Sequence, residues 1–127
     1  MKKIEIVSPA GNLEKLRFAV KYGADNIYFG GSDFNLRVQA DNFSNDDLRE
    51  GVALCRQSGV KTTFLLNSYL HEEDIKKAES YIDMISGMGF DSVMVSDPGM
   101  MVLLKSSGIK AEFHLSTQMN VLNHYAV

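Results

Sequence analysis

Residues 4–31 read IEIVSPAGNLEKLRFAVKYGADNIYFGG and contain a complete strand–helix–strand pattern. Ile4–Val7 predicts a short β-strand, because the run is rich in β-branched residues. A polar turn follows, and from Leu13 onward apolar residues recur at helical spacing until Gly23 stops the helix. Asn26–Phe29 then predicts a second strand. A helix that joins two strands in this way makes them parallel neighbours in one sheet.

The same alternation continues along the rest of the 127 residues. Ser44, with Asp47 three residues later, forms an approximate capping box and predicts the start of the second helix. The third helix opens at Glu72 and the fourth at Pro98. The later strands are predicted at Val60–Leu66, Ser92–Val95 and Ala111–Leu115, and the chain ends inside what resembles a further helix. The fold class is therefore α/β with a parallel sheet, and periodicity leaves an open sheet and part of a barrel as alternatives.

Composition fits one ordinary globular domain, with 45% hydrophobic and 23% charged residues. No run reaches the roughly 18 apolar residues that a membrane span needs, and Glu5 interrupts the opening lysines before a signal-peptide core could form. We therefore expect a cytoplasmic protein without a membrane partner. The net charge of −3 provides no global basic field for nucleic acid. The single cysteine, Cys55, excludes an internal disulfide and an all-cysteine metal site within this chain.

Nucleotide-binding motifs are missing from the glycine pattern. Gly11 follows the first strand alone, without a G-x-G-x-x-G, and no G-x-x-x-x-G-K-[ST] occurs. These motifs position the phosphates of a nucleotide, so their absence argues against a nucleotide-binding site of either type.

Strand parity predicts which side chains face the interior of the sheet. In the last strand Phe113 and Leu115 share one face, and the polar residues Glu112, His114 and Ser116 share the other. A polar interior predicts a pocket that holds a ligand, and a satisfied hydrogen-bond network is the alternative. By the same logic, the side chains predicted to point inward are Glu5, Tyr28 and Thr63, and those predicted to lie beneath helices are Ile4, Ile6, Ile27, Phe29, Phe64 and Leu66.

Several motifs, in order along nearly the whole chain, resemble the collagenase-like peptidase family. They are residues 8–14 (SPAGNLE), 22–31 (YGADNIYFGG), 34–37 (FNLR), 42–43 (NF), 96–99 (SDPG) and 114–120 (HLSTQMN). The resemblance implies a partial (β/α)₈ TIM-type barrel, in which residues 1–127 form four βα units, a fifth strand and the start of a fifth helix, with no second domain. An unclosed barrel leaves two strand edges and an apolar interior open, so we expect the chain to self-associate.

The resemblance also implies a function. Some members of the family are described as proteases, and others hydroxylate RNA or ubiquinone precursors. The tRNA branch modifies a wobble uridine and takes the hydroxyl group from prephenate. For the parent protein we expect tRNA hydroxylation under a formal peptidase (hydrolase) classification. Genuine proteolysis is the alternative, and the chain by itself is expected to be an inactive fragment or an assembly module. Several members bind an iron–sulfur cluster through cysteines beyond the matched stretch, so none is expected within this chain.

Two residues are predicted to be catalytic, His114 and Asp97. His114 lies at the end of a strand among polar side chains and could transfer a proton, although a lone histidine can also be structural. Asp97, followed by Pro98, could act as a base or could cap the fourth helix. Ser116 lies two residues from His114 on the same strand face, so the two side chains point side by side. The Ser116 hydroxyl is then not aimed at the imidazole, and this weakens the protease hypothesis.

The predicted substrate-binding residues lie in the loops that follow the strands. Arg37 could anchor a carboxylate or phosphate, or it could be a solvated surface residue. The full set is Tyr28, Arg37, Asn67, Ser116, Gln118 and Asn120. Three of them (Tyr28, Asn67 and Ser116) are expected to converge with His114 in one concave site, with Arg37 at its rim. Close backbone approach to a ligand is the predicted role of Gly11, Gly30 and Gly31.

Overall fold

The fold was analysed in a computed structural model that describes residues 4–36 and 42–126. Five parallel strands form one sheet in the order β1-β2-β3-β4-β5. This consecutive order confirms the predicted α/β architecture and is that of a partial TIM-type barrel. The strands are β1 (Val7–Pro9), β2 (Asn26–Phe29), β3 (Lys61–Leu66), β4 (Ser92–Val95) and β5 (Glu112–Leu115). The α-helices between them are α1 (Leu13–Lys21), α2 (Asn45–Gln57), α3 (Ile75–Ser86) and α4 (Pro98–Ser106).

Side-chain caps start α1, α2 and α4, whereas α3 has none and begins at Ile75, after a 3₁₀ turn at Glu72–Asp74. Ser44 and Asp47 form the capping box of α2, in which the Ser44 hydroxyl accepts from the Asp47 N–H at 3.2 Å. The hydroxyl and backbone N–H of Ser44 both donate to the Asp47 carboxylate, and they hold the pKa of Asp47 below its ordinary value. None of the described helices is long and apolar enough to cross a membrane.

The two faces of the sheet differ in chemistry. The helix-covered face forms the core, and there the predicted residues Ile27, Phe29, Phe64 and Leu66 are fully buried. The opposite face, termed the interior face, carries a hydrogen-bonded row across three strands. Thr63 Oγ1 lies 3.0 Å from Asn26 Oδ1 and 2.6 Å from Ser92 Oγ. This row makes its part of the interior face polar, as strand parity predicts, whereas the unclosed barrel was expected to leave an apolar interior open.

The first strand begins three residues later than predicted and ends two residues later. Ile4–Val7 was expected, but the ladder with β2 begins at Val7 and includes Pro9. Within the described residues β1 pairs only with β2, and an edge strand tolerates a proline because it needs no second ladder donor. Ile4 and Ile6 precede the strand and are 90% and 59% exposed, so their predicted burial beneath helices was wrong.

The chain after β5 also differs from the prediction. A single 3₁₀ turn, Thr117–Met119, stands where the start of a fifth helix was expected. Asn120 follows it in the left-handed region, at φ 57°, which stops helical winding. No α-helix follows β5 within the described residues up to 126.

Candidate functional site

Four polar side chains meet where β3, β4 and β5 end, and we call them the carboxyl-edge cluster: Tyr69, Ser96, Ser116 and Gln118. The hydroxyl of Ser96 donates to Gln118 Oε1 at 3.0 Å, and the hydroxyl of Ser116 donates to the same oxygen at 2.5 Å. The Tyr69 hydroxyl donates to the backbone carbonyl of Gln118 at 3.2 Å. Sites of parallel α/β folds lie at this edge of the sheet.

The sheet itself places the two serines next to each other. Val95 pairs with Leu115 in the β4–β5 ladder, so the residues that follow them, Ser96 and Ser116, are neighbours. The Ser116 N–H continues the ladder to the Val95 carbonyl at 2.8 Å. Both serines are buried, with 1% and 8% of their surface exposed, whereas the side chain of Gln118 is exposed. The two serines of the cluster are therefore buried, and the side-chain amide of Gln118 is accessible.

His114 lies on the interior face, as strand parity predicts, but near the opposite end of the sheet. Its Nε2 is 3.8 Å from Glu112 Oε2, and it lines an amino-end concavity of about 260 Å³. Lys61 donates to Glu5 there at 2.9 Å, and this contact raises the pKa of Lys61. The concavity is lined by Glu5, Asn26, Lys61, Asp91, Ser92, Glu112 and His114.

The concavity at the amino end does not bring the expected residues together. Tyr28, Asn67 and Ser116 do not line the concavity that holds His114. Parity fixes the face to which a side chain belongs, but it does not fix how far along the strand axis that side chain reaches. Arg37, expected at the rim, lies outside the described residues.

Asp97 caps α4. Its Oδ1 accepts from the Met100 N–H at 2.9 Å, and its Oδ2 faces the Leu70 N–H at 3.4 Å. Both carboxylate oxygens are engaged by backbone groups, so the geometry supports the capping role over the catalytic one.

Hydrogen bonds connect the loop after β2 to the loop after β3. Asn67 Oδ1 accepts from the Leu36 N–H at 3.3 Å, and the Phe34 carbonyl accepts from the Ser68 N–H at 3.1 Å. Asn67 thus secures a turn in this structure.

The two glycines of the β2 loop permit close packing. A Cβ at Gly30 would lie 2.7 Å from the Asn35 amide nitrogen, and one at Gly31 would lie 2.1 Å from the Tyr81 hydroxyl. A side chain at either position would therefore force the neighbouring Asn35 or Tyr81 side chain to move.

The remaining predicted residues lie apart from the carboxyl-edge cluster. Tyr28 is half-buried on the interior face, paired with Thr63. Asn120 is exposed behind the 3₁₀ turn, and Gly11 lies in the bend between β1 and α1. Their predicted binding roles stay predictions.

Two members of the carboxyl-edge cluster were not predicted as site residues, Tyr69 and Ser96. Ser96 could have been found from the sequence, because it follows β4 just as Ser116 follows β5 and parallel neighbours end at one edge. Tyr69 gave no such signal, since its contact depends on the path of the loop after β3.

The described residues do not fit an iron–sulfur cluster or another bound metal. They contain no group of three histidine, cysteine or acidic side chains that could hold a metal ion. Cys55 is buried in α2, where burial and then the charge of Asp91 raise the pKa of its thiol to about 11. Cluster ligation requires a thiolate, which this site disfavours.

Comparison with known families identifies the chain. The sequence profile of the family described as peptidase family U32 matches residues 11–127 of the chain. The chain belongs to peptidase family U32. This confirms the resemblance drawn from its motifs.

The names of two similar proteins describe two kinds of function. The chain is 37% identical over 126 residues to tRNA hydroxylation protein P1 of Bacillus subtilis, covering 99% of this chain and 30% of the relative. It is also 37% identical over 124 residues to a collagenase of Porphyromonas gingivalis, covering 97% of this chain and 30% of the relative. The chain thus spans about 30% of the length of these relatives.

A solved U32 structure has the same fold. The U32 peptidase Mk0906 superposes with a TM-score of 0.61 at 14% identity, over 99% of this chain and 52% of that one. At this identity the likeness concerns the fold alone.

Proposed function

We propose that the full-length gene product hydroxylates a uridine of tRNA. The observation that carries the proposal is the 37% identity to a tRNA hydroxylation protein over 99% of this chain. The carboxyl-edge cluster supports it, because hydroxyl and amide groups are suited to contact the polar edge of a base. We further propose a wobble uridine as the target and prephenate as the source of the hydroxyl group, on the strength of the family resemblance.

Proteolysis is the second candidate, since the collagenase relative is equally similar. A serine protease needs a serine hydroxyl bonded to a general base. Here the Ser116 hydroxyl donates to Gln118, and His114 contacts Glu112. The described residues therefore offer no serine–histidine pair, and this favours hydroxylation.

The test is mass spectrometry of tRNA nucleosides from cells with the gene, without it, and with the full-length gene restored. We expect a uridine heavier by one oxygen atom to disappear on deletion and to return on complementation. Restoration should fail in cells that cannot make prephenate and recover when prephenate is supplied.

Parallel assays with gelatin and casein test the alternative. Cleavage by the purified full-length protein that a Ser116→Ala substitution abolishes, together with unchanged tRNA nucleosides in the deletion strain, would establish proteolysis instead. The 127-residue chain alone is expected to be inactive in both assays.

A further inference from the structure

We propose that Gln118 selects the target base by donating its side-chain N–H groups to the O4 carbonyl of uracil. The inference rests on the proposed function and adds a specificity determinant to it. In this role Ser96 and Ser116 are positioning residues, since they act through the amide and need not touch the base.

The first step is the orientation of the Gln118 amide. Its oxygen accepts from two serine hydroxyls, at 3.0 and 2.5 Å. A carbonyl oxygen has two lone pairs, so this atom is saturated.

The second step concerns the free half of the amide. Nε2 of Gln118 has no hydrogen-bond partner among residues 4–36 and 42–126, and the side chain is exposed. Because the serines hold the oxygen and the Tyr69 hydroxyl holds the backbone carbonyl, the amide presents two N–H donors in a fixed direction. A ligand that contacts the side chain of Gln118 therefore meets its N–H donors.

The third step matches these donors to a base. Uracil carries an acceptor, O4, where cytosine carries the N4 amino donor. An uncharged amide can contact a phosphate or a base edge, but only the contact with a base edge distinguishes one base from another. A fixed amide nitrogen would thus accept uridine and repel cytidine.

The experiment uses the full-length protein and fluorescein-labelled anticodon stem-loop RNAs that carry uridine or cytidine at the wobble position. In fluorescence anisotropy the wild-type protein should bind the uridine RNA roughly five- to tenfold more tightly than the cytidine RNA. This is the difference expected when one hydrogen bond from the amide is made to uracil O4 and is lost with cytosine. Gln118→Glu keeps both serine contacts but replaces the donors by an acceptor. It should reverse the preference, because a carboxylate accepts from cytosine N4.

Three further variants complete the design. Gln57→Glu makes the same charge change at the exposed carboxyl end of α2 and should keep the wild-type preference. Gln118→Met lacks both donor and acceptor and should remove the preference, which keeps the test valid if the glutamate variant misfolds. The double variant Ser96→Ala, Ser116→Ala frees the amide to rotate and should reduce the preference to about twofold or less.

Several results would overturn the inference. One is a wild-type protein that binds the uridine and cytidine RNAs equally well. Another is a Gln118→Glu variant that keeps the wild-type preference. A third is a Gln118→Glu variant that loses affinity for both RNAs equally, which would indicate that Gln118 contacts the RNA backbone. Nucleoside mass spectrometry reports on the proposed function separately. A uridine preference that Gln118 controls, without tRNA hydroxylation in cells, would sustain this inference and refute the proposed reaction.

Discussion

The sequence allowed two roles for Asp97, a catalytic base or the N-cap of α4, and the geometry of its contacts distinguishes them. Its carboxylate accepts the Met100 N–H at the start of α4 and faces the Leu70 N–H. A helix cap explains both contacts without any catalytic role.

Asp97→Ala is therefore expected to lower the free energy of unfolding by roughly 0.5–2 kcal/mol, and Asp97→Asn to leave it nearly unchanged, because asparagine caps as well as aspartate. Urea denaturation measures both. An Asp97→Asn protein that keeps its stability but loses tRNA hydroxylation would restore Asp97 as a catalytic base.

Cys55 is expected to be chemically inert in the folded protein. Its thiol is buried and its pKa is raised to about 11, so the reactive thiolate is scarce at pH 8. A chromogenic disulfide reagent at pH 8 should react only after unfolding in guanidinium. Fast reaction under native conditions would show that the thiol is accessible and ionised.

At the scale of elements, the loop after β2 is fastened to α3. Tyr81 of α3 packs its ring against Phe34, at 5.6 Å between centroids, and its hydroxyl lies against Gly31. Lys77 of α3 is ion-paired with Asp33 in the same loop. The Tyr81 hydroxyl is buried without a hydrogen-bond partner in the described residues. Burial and the Asp33 carboxylate raise the pKa of Tyr81 to about 12. The backbone N–H of Asp33 has a smaller effect that lowers this pKa.

This packing makes Gly31→Ala a test of the loop. The added Cβ would lie 2.1 Å from the Tyr81 hydroxyl, so we expect a loss of roughly 1–3 kcal/mol in the free energy of unfolding. Tyr81→Phe removes the clashing atom and should rescue most of that loss in the double variant. Gly87→Ala is the control, because its Cβ would meet only the Met84 carbonyl oxygen, at 3.7 Å. Additive effects of the two substitutions would contradict the contact.

The elements were predictable where a local signal fixes them. Periodicity and caps located α2 and α4, since Ser44 and Asp97 act within one helical turn. The first strand was misplaced because an isoleucine-rich run resembles a strand wherever it lies, and only pairing with β2 sets the register. The carboxyl-edge cluster was predicted only in part, because Tyr69 reaches Gln118 across 49 residues of sequence.

At the scale of the whole molecule, the sheet presents two open edges within the described residues. β1 pairs only with β2, and β5 pairs only with β4. Near the β1 edge the side chains of Ile4, Ile6 and Val7 are exposed. Unpaired edges with apolar side chains favour pairing with another chain.

We therefore expect the 127-residue chain to form a twofold dimer at micromolar concentration, measured by sedimentation equilibrium. Val7→Lys places a charge on the β1 edge and should shift the dimer toward monomer. Val102→Lys, on the exposed side of α4, should leave the dimer intact. A monomeric wild-type chain would show that both edges are shielded.

The most direct test of the central claim, that the carboxyl edge of β4 and β5 receives a tRNA uridine, is photo-cross-linking. A tRNA with 4-thiouridine at the wobble position is irradiated with the full-length protein, and fragment-ion spectra locate the modified residue. We expect an adduct within residues 116–120 that is reduced in the Gln118→Met variant. Adducts at Lys61, Glu112 or His114, in the amino-end concavity, would contradict it.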